Sequence, residues 1–170
     1  MSRGWFLALT ALVAFAGAPA RAQSLYAPAE GDFEIAFPAA PEVQSKPANR
    51  SRDVAKRRYV VQEPSRAMIV SIDDYPDGDL PAAANGGVYD RMLRNRAEDE
   101  DAQLLSTRPA RLSGRPCLEG AILAKGAVEI VRILMDGQRV WELTYALPEG
   151  ADPAGADAAF FSSFRIRKAP

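Results

Sequence analysis

CLEGAILAKGAVEIVRILMDGQRVWELTYAL, residues 117–147, carries the longest uninterrupted strand pattern in the chain. Val128, Ile130 and Leu134 alternate on one side, and Trp141, Leu143, Tyr145 and Leu147 alternate on the return. Asp136 and Gly137 between them tolerate positive φ, so the spacing predicts a two-residue hairpin. In that register Met135 faces Gln138, Ile130 lies across from Leu143, and Val128 lies across from Tyr145. The opposite face holds Val131, Ile133, Met135 and Val140 beside Glu129, Glu142 and Thr144, which is too apolar to be left in water. Both faces of this sheet are therefore expected to be covered.

Residues 1–22 read as a signal peptide: Arg3 gives a basic start, Trp5 to Ala16 an apolar run, and Ala20-Arg21-Ala22 a small-x-small cleavage site. The run falls well short of the roughly 20 residues that span a bilayer. No cysteine follows it, so nothing there can be acylated. Removing residues 1–22 from 170 leaves 148, residues 23–170, a length that suits one secreted domain. Loss of Arg3 and Arg21 leaves 19 basic against 22 acidic residues, a charge of −3 that argues against a nucleic-acid binder. Cys117 is the single cysteine, which rules out an internal disulfide. Its reading as a small apolar core residue stands against one as a reactive thiol, and nothing in the sequence would activate it.

Upstream of the hairpin, Phe33, Ile35 and Phe37 mark a half-buried strand ended by Pro38. Pro41 and Pro47 frame an extended or irregular connection. Val54 to Gln62 reads as a strand, and Met68, Val70 and Ile72 as its partner. Asn85-Gly86-Gly87 starts a helix with Tyr89, Met92, Leu93, Arg96 and Ala97 at helical spacing, ending near Ala97 or Asp99 because acidic groups oppose the macrodipole there. Leu104 to Leu112 forms another strand, placed at an edge by Pro109. Asp152-Pro153 begins a last helix of roughly 12 residues, on which Ala156, Phe160 and Phe164 recur every fourth position.

The chain has no histidine, which removes Ser-His-Asp and Cys-His catalysis and His-ligated metal sites. A Gly-rich phosphate loop, a GxSxG elbow and a Ser-x-x-Lys pair are also missing. Two clusters remain. Asp73, Asp74, Asp77 and Asp79 crowd the stretch DDYPDGDLP, where carboxylates on a flexible loop suit calcium, although a solvated acidic turn explains them equally well. Arg50, Arg52, Lys56, Arg57 and Arg58 belong to a basic stretch suited to an anionic partner, although alternation puts Lys56 and Arg58 on one face and Arg57 on the other. Arg132, across from Trp141 in the register above, either stacks on the indole or reads an anion.

Three phrases, GDFEIAFPAAPE (31–42), RILMDGQRVWELTY (132–145) and FFSSFRI (160–166), resemble bacterial secreted proteins of the PsbP-like group, named for an extrinsic photosystem II subunit. The shared positions, Gly31, Phe33, Phe37, Pro38, Gly137, Trp141, Ser163 and Phe164, are core and turn residues. The resemblance thus implies a fold, an α/β/α sandwich, and carries over no site residue. The combined expectation is an α+β domain with an antiparallel sheet of six to seven strands and helices packed on both faces. It would act in the periplasm or outside the cell as a non-catalytic binding or accessory module, for an envelope component or a protein partner, without a cofactor. Calcium binding is the alternative, and a carboxylate-type enzyme comes third.

Overall fold

Seven antiparallel strands form one sheet in the order β3-β4-β5-β9-β8-β7-β6. The computed structural model describes residues 24–30, 32–48, 53–81, 86–151 and 155–167. The expected signal peptide, Gly31, Arg50, Arg52, Asn85 and the Asp152-Pro153 helix start lie outside these residues. The elements of the large sheet are β3 (Glu42–Lys46), β4 (Ala55–Glu63), β5 (Arg66–Asp74), β6 (Gln103–Leu112), β7 (Arg115–Ala124), β8 (Ala127–Asp136) and β9 (Arg139–Pro148). A second sheet, β1-β2-β10, joins β1 (Ser24–Tyr26), β2 (Phe33–Phe37) and β10 (Arg165–Ile166). Helix α1 spans Gly86–Asp99 and helix α2 spans Ala156–Ser163.

Tight turns build the β6 to β9 meander. Ser113-Gly114 (φ 51° and 76°) and Lys125-Gly126 (φ 49° and 80°) take the two successive positive-φ positions of type I′ hairpins. In the third turn only Gly137 has positive φ, at 63°. The loop there is Gly137-Gln138, because Asp136 remains in β8 opposite Arg139. The hairpin is thus displaced from the sequence reading: Ile130 faces Tyr145, Val128 faces Leu147, and Arg132 faces Leu143. The physical reason is Asp136, whose carboxylate accepts from Arg115 Nη2 (2.9 Å), an ion pair that holds its pKa below the usual carboxylate range. Pairing moves by two positions, so every side chain keeps its face.

Each face of the large sheet has its own core. Tyr89, Leu93 and Ala97 of α1 bury against Ile122, Val131, Ile133, Met135 and Val140. Their spacing of four gives one apolar stripe down the helix. The helix ends where the chain turns left-handed at Asp101 (φ 52°) and Ala102 N donates to the Ala97 carbonyl (2.8 Å). The other face, with Tyr59, Val61, Met68, Val70, Ile72, Leu134, Trp141, Leu143 and Tyr145, packs on Phe33, Ile35, Phe37, Phe160, Phe161 and Phe164. Where helices were expected on both faces, this second cover is a mixed layer, the small sheet together with the short α2. Ser163 joins the two: its hydroxyl donates to the Phe160 carbonyl (2.7 Å) and accepts from Ala36 N (3.0 Å). Phe33 lies edge-on to Tyr59 and Trp141 at 5.0 and 5.9 Å between ring centroids. Pro109 sits in β6, an edge strand, as its missing donor requires. The other edge is β3, whose five residues are all exposed and which the sequence reading left as a connection between two prolines.

Candidate functional site

The residues singled out from sequence are distributed over both faces of β4 and β5. Arg57 Nη2 pairs with Asp32 Oδ2 (2.6 Å) and Asp74 Oδ2 (3.4 Å), while Arg139 Nε pairs with Asp74 Oδ1 (2.5 Å). These two cations and two carboxylates bind the start of β2 to the large sheet. Lys56 Nζ, on the opposite face, pairs with Asp73 Oδ2 (2.8 Å). Arg58 Nε donates to Ser71 Oγ (3.3 Å) and forms no ion pair among the described residues.

Asp73 and Asp74 therefore answer to different partners on different faces, and Asp77 and Asp79 are exposed on the loop beyond. That loop is held by Gln138 of the hairpin turn. Its side chain accepts from Leu80 N (3.0 Å) and donates to the Leu80 carbonyl (3.2 Å), while its carbonyl accepts from Tyr75 N (2.8 Å). Among the described residues no three acidic or thiol side chains gather where they could hold a metal ion.

Arg132 stands in a different setting from the one expected. Its guanidinium lies over the Phe161 ring, 4.3 Å from the centroid, and the cation over Trp141 is Arg139 at 5.5 Å. Arg132 Nε also donates to Glu119 Oε2 (2.8 Å), and the second oxygen of Glu119 takes Arg108 (2.5 Å). Arg132, Arg111, Arg165 and Phe161, with Ser113 and Ser162, surround an open cleft of about 460 Å³. Arg111 donates to the Gly114 carbonyl (2.7 Å), and Arg165 to the Ser162 and Phe164 carbonyls (2.5 and 2.7 Å). Neither meets a carboxylate among the described residues. Buried Glu119 thus serves both Arg108 and Arg132, and Arg111 and Arg165 add two further guanidinium groups to the cleft beside Arg132. On the same face Ala121, Leu123, Val128 and Ile130 are only partly buried.

Sequence reasoning missed a second charged site. Arg96 projects from α1 onto the sheet, where its Nη2 pairs with Glu129 Oε2 (2.5 Å), and its Nη1 with Glu142 and with Thr144 Oγ1 (3.1 Å). Burial pushes the Glu142 carboxyl above its usual range, and Arg96 pulls the other way. The signal was present in two places: a charged residue inside the apolar stripe of α1, and two glutamates on a strand face too apolar for water. Cys117 is buried and its thiol is pushed up to about 11 by burial, against the opposing pull of Arg132, which removes the thiolate on which reactivity depends.

No family model matches the chain, and no curated protein matches it. Solved structures do. The solution structure of cyanobacterial PsbP (CyanoP) from Synechocystis sp. superposes with a TM-score of 0.58 at 13% identity, covering 92% of this chain and 99% of that one. A crystal structure from Bacteroides thetaiotaomicron aligns with a TM-score of 0.45 at 11% identity, covering 87% of this chain and 49% of that one. The chain has a PsbP-like fold.

Proposed function

We propose that the chain is a periplasmic or secreted, non-catalytic binding module that docks an acidic segment of a partner protein on the corner formed by Arg108, Arg111, Arg132 and Arg165. The observation that carries this is the charge balance there: Glu119 is shared by Arg108 and Arg132, while Arg111 and Arg165, which line the same cleft as Arg132, pair with no carboxylate among the described residues. Uncompensated positive charge together with partly buried Ala121, Leu123, Val128 and Ile130 suits an occupant that is both acidic and apolar. An acidic protein segment meets both requirements, and an envelope component bearing only negative charge meets one. The signal-like residues 1–22 support export, and no helix among the described residues is long and apolar enough to cross a membrane. The missing histidine and the missing catalytic motifs support a role without chemistry.

The test uses a fluorescein-labelled peptide alternating glutamate and leucine, with vesicles containing phosphatidylglycerol as a second probe. Peptide binding should weaken steeply as salt rises to 0.15 M, where the screening length is about 8 Å. The pair Arg111→Glu and Arg165→Glu, both exposed, should lower affinity at least tenfold, about 1.4 kcal/mol, without moving the melting temperature. Undiminished peptide binding after charge reversal would refute the site. Capture by vesicles and not by the peptide would refute the protein partner.

A further inference from the structure

Helix α1 covers the β6 to β8 side of its face and leaves β4 and β5 open, so a cavity of about 390 Å³ remains between the helix and the sheet. Arg58, Ser71 and Glu142 stand in register on three neighbouring strands, β4, β5 and β9, across its floor. The C-terminal end of α1 forms the facing wall with Arg96, Asp99 and Glu100.

We propose that this cavity binds a small zwitterion, a free amino acid or short peptide, with its carboxylate at Arg58 and its ammonium at the Asp99 and Glu100 end. The charges of the lining leave room for both groups. Lys56 is matched by Asp73 (2.8 Å), and Arg96 by Glu142 and, at 3.7 Å, Glu100. What remains is one guanidinium, Arg58, and one carboxylate, Asp99, neither of which forms an ion pair among the described residues.

A ligand carboxylate therefore meets the free fork of Arg58 beside the Ser71 hydroxyl, a planar match that a lysine would not give. At the other end Glu100 has only a share of Arg96, whose single charge is also taken by Glu129 and Glu142. An ammonium group there relieves that excess, and the negative end of the helix dipole favours it as well. Arg96, nine-tenths buried, lines the same cavity, and its Nε has no hydrogen-bond partner among the described residues. A buried donor left without a partner is uncommon in a finished core and points to an occupant that satisfies it. Met92, Ile133 and Val140 supply apolar lining, which selects an apolar side chain.

Isothermal titration of the purified protein with L-leucine and with dileucine tests the proposal, against N-acetyl-L-leucine, which lacks the ammonium, and L-leucinamide, which lacks the carboxylate. Leucine or dileucine should bind, and each single-charge analogue should bind at least tenfold more weakly. The two arms also tell whether the occupant is a free amino acid or a peptide. Arg58→Gln should abolish the preference for leucine over leucinamide and keep that over N-acetyl-leucine, whereas Asp99→Asn should do the converse. Both side chains are exposed, so the fold survives either change. The absence of binding by leucine and dileucine at 10 mM would overturn the proposal, as would equal binding of all four compounds. Charge reversal at Arg111 and Arg165 leaves this readout unchanged, so the two sites fail or stand separately.

Discussion

Gly120, on β7 beneath α1, is predicted to be intolerant of even one methyl group. A Cβ built there would lie 2.9 Å from both Cδ1 and Cδ2 of Leu93. Carbon atoms in contact rest about 3.5 to 4.0 Å apart, so Leu93 would have to retreat by about 0.6 Å or more. It is fully buried, between Gly120 and its own helix, and has nowhere to go. Gly120→Ala should therefore cost about 1 to 3 kcal/mol by overpacking. Leu93→Ala alone should cost about 2 to 5 kcal/mol, the lost burial plus a cavity. In the double variant the new methyl occupies part of the space that leucine vacates, so the two costs should fall short of their sum by about 1 to 3 kcal/mol. Urea unfolding of residues 23–170 gives the measurement, because Trp141 is then the only tryptophan and is fully buried. Additivity within about 0.5 kcal/mol, or a neutral Gly120→Ala, would refute this account of how α1 seats on the sheet.

Phe160 is fully buried, with the rings of Phe161, Tyr145 and Phe37 at 5.3, 5.9 and 6.0 Å, so Phe160→Ala should cost about 3 to 5 kcal/mol in the same assay. A loss under about 1 kcal/mol would remove α2 from the core. Cys117 should react with a disulfide reagent at pH 8 about 100-fold more slowly in the native protein than in urea, since its thiol is pushed up to about 11 from 9.0. The folded state holds that proton at a pH where the unfolded chain releases it. The resulting stability is full below pH 9 and lost as pH rises toward 11, and Cys117→Ala should flatten the melting temperature across that window.

Much of this architecture was legible because it depends on alternation, which survives in sequence whatever the partner strand is. Val131, Ile133 and Val140 read as buried and are buried. The hairpin register was misplaced because Asp136 and Gly137 both tolerate positive φ, and periodicity does not record which one an ion pair holds in the strand. The small sheet was harder to see. β1 and β10 have three and two residues, too few to show a period, and their pairing with β2 is set by a fold that brings distant segments together. The candidate sites were least legible of all. Arg58 and Arg132 were singled out, but whether an arginine is spoken for depends on carboxylates remote in the chain, such as Asp32 for Arg57 and Glu119 for Arg132.

The joining of β2 to the C-terminal α2 and β10 has a bearing on how the chain is made. Ala36 and Ser163 meet across 127 residues, whereas β4 with β5 and the whole β6 to β9 meander join neighbours in sequence. Hairpins of that kind close within microseconds, and a loop of that length closes against a larger entropy. During vectorial synthesis the large sheet can be laid down while Trp141 still faces solvent, since Phe164 belongs to a segment made after everything it covers. A polypeptide interrupted before α2 would therefore display the apolar face of a nearly complete sheet. Chaperones and proteases recognise such a surface, and arrival of the last aromatic residues withdraws it.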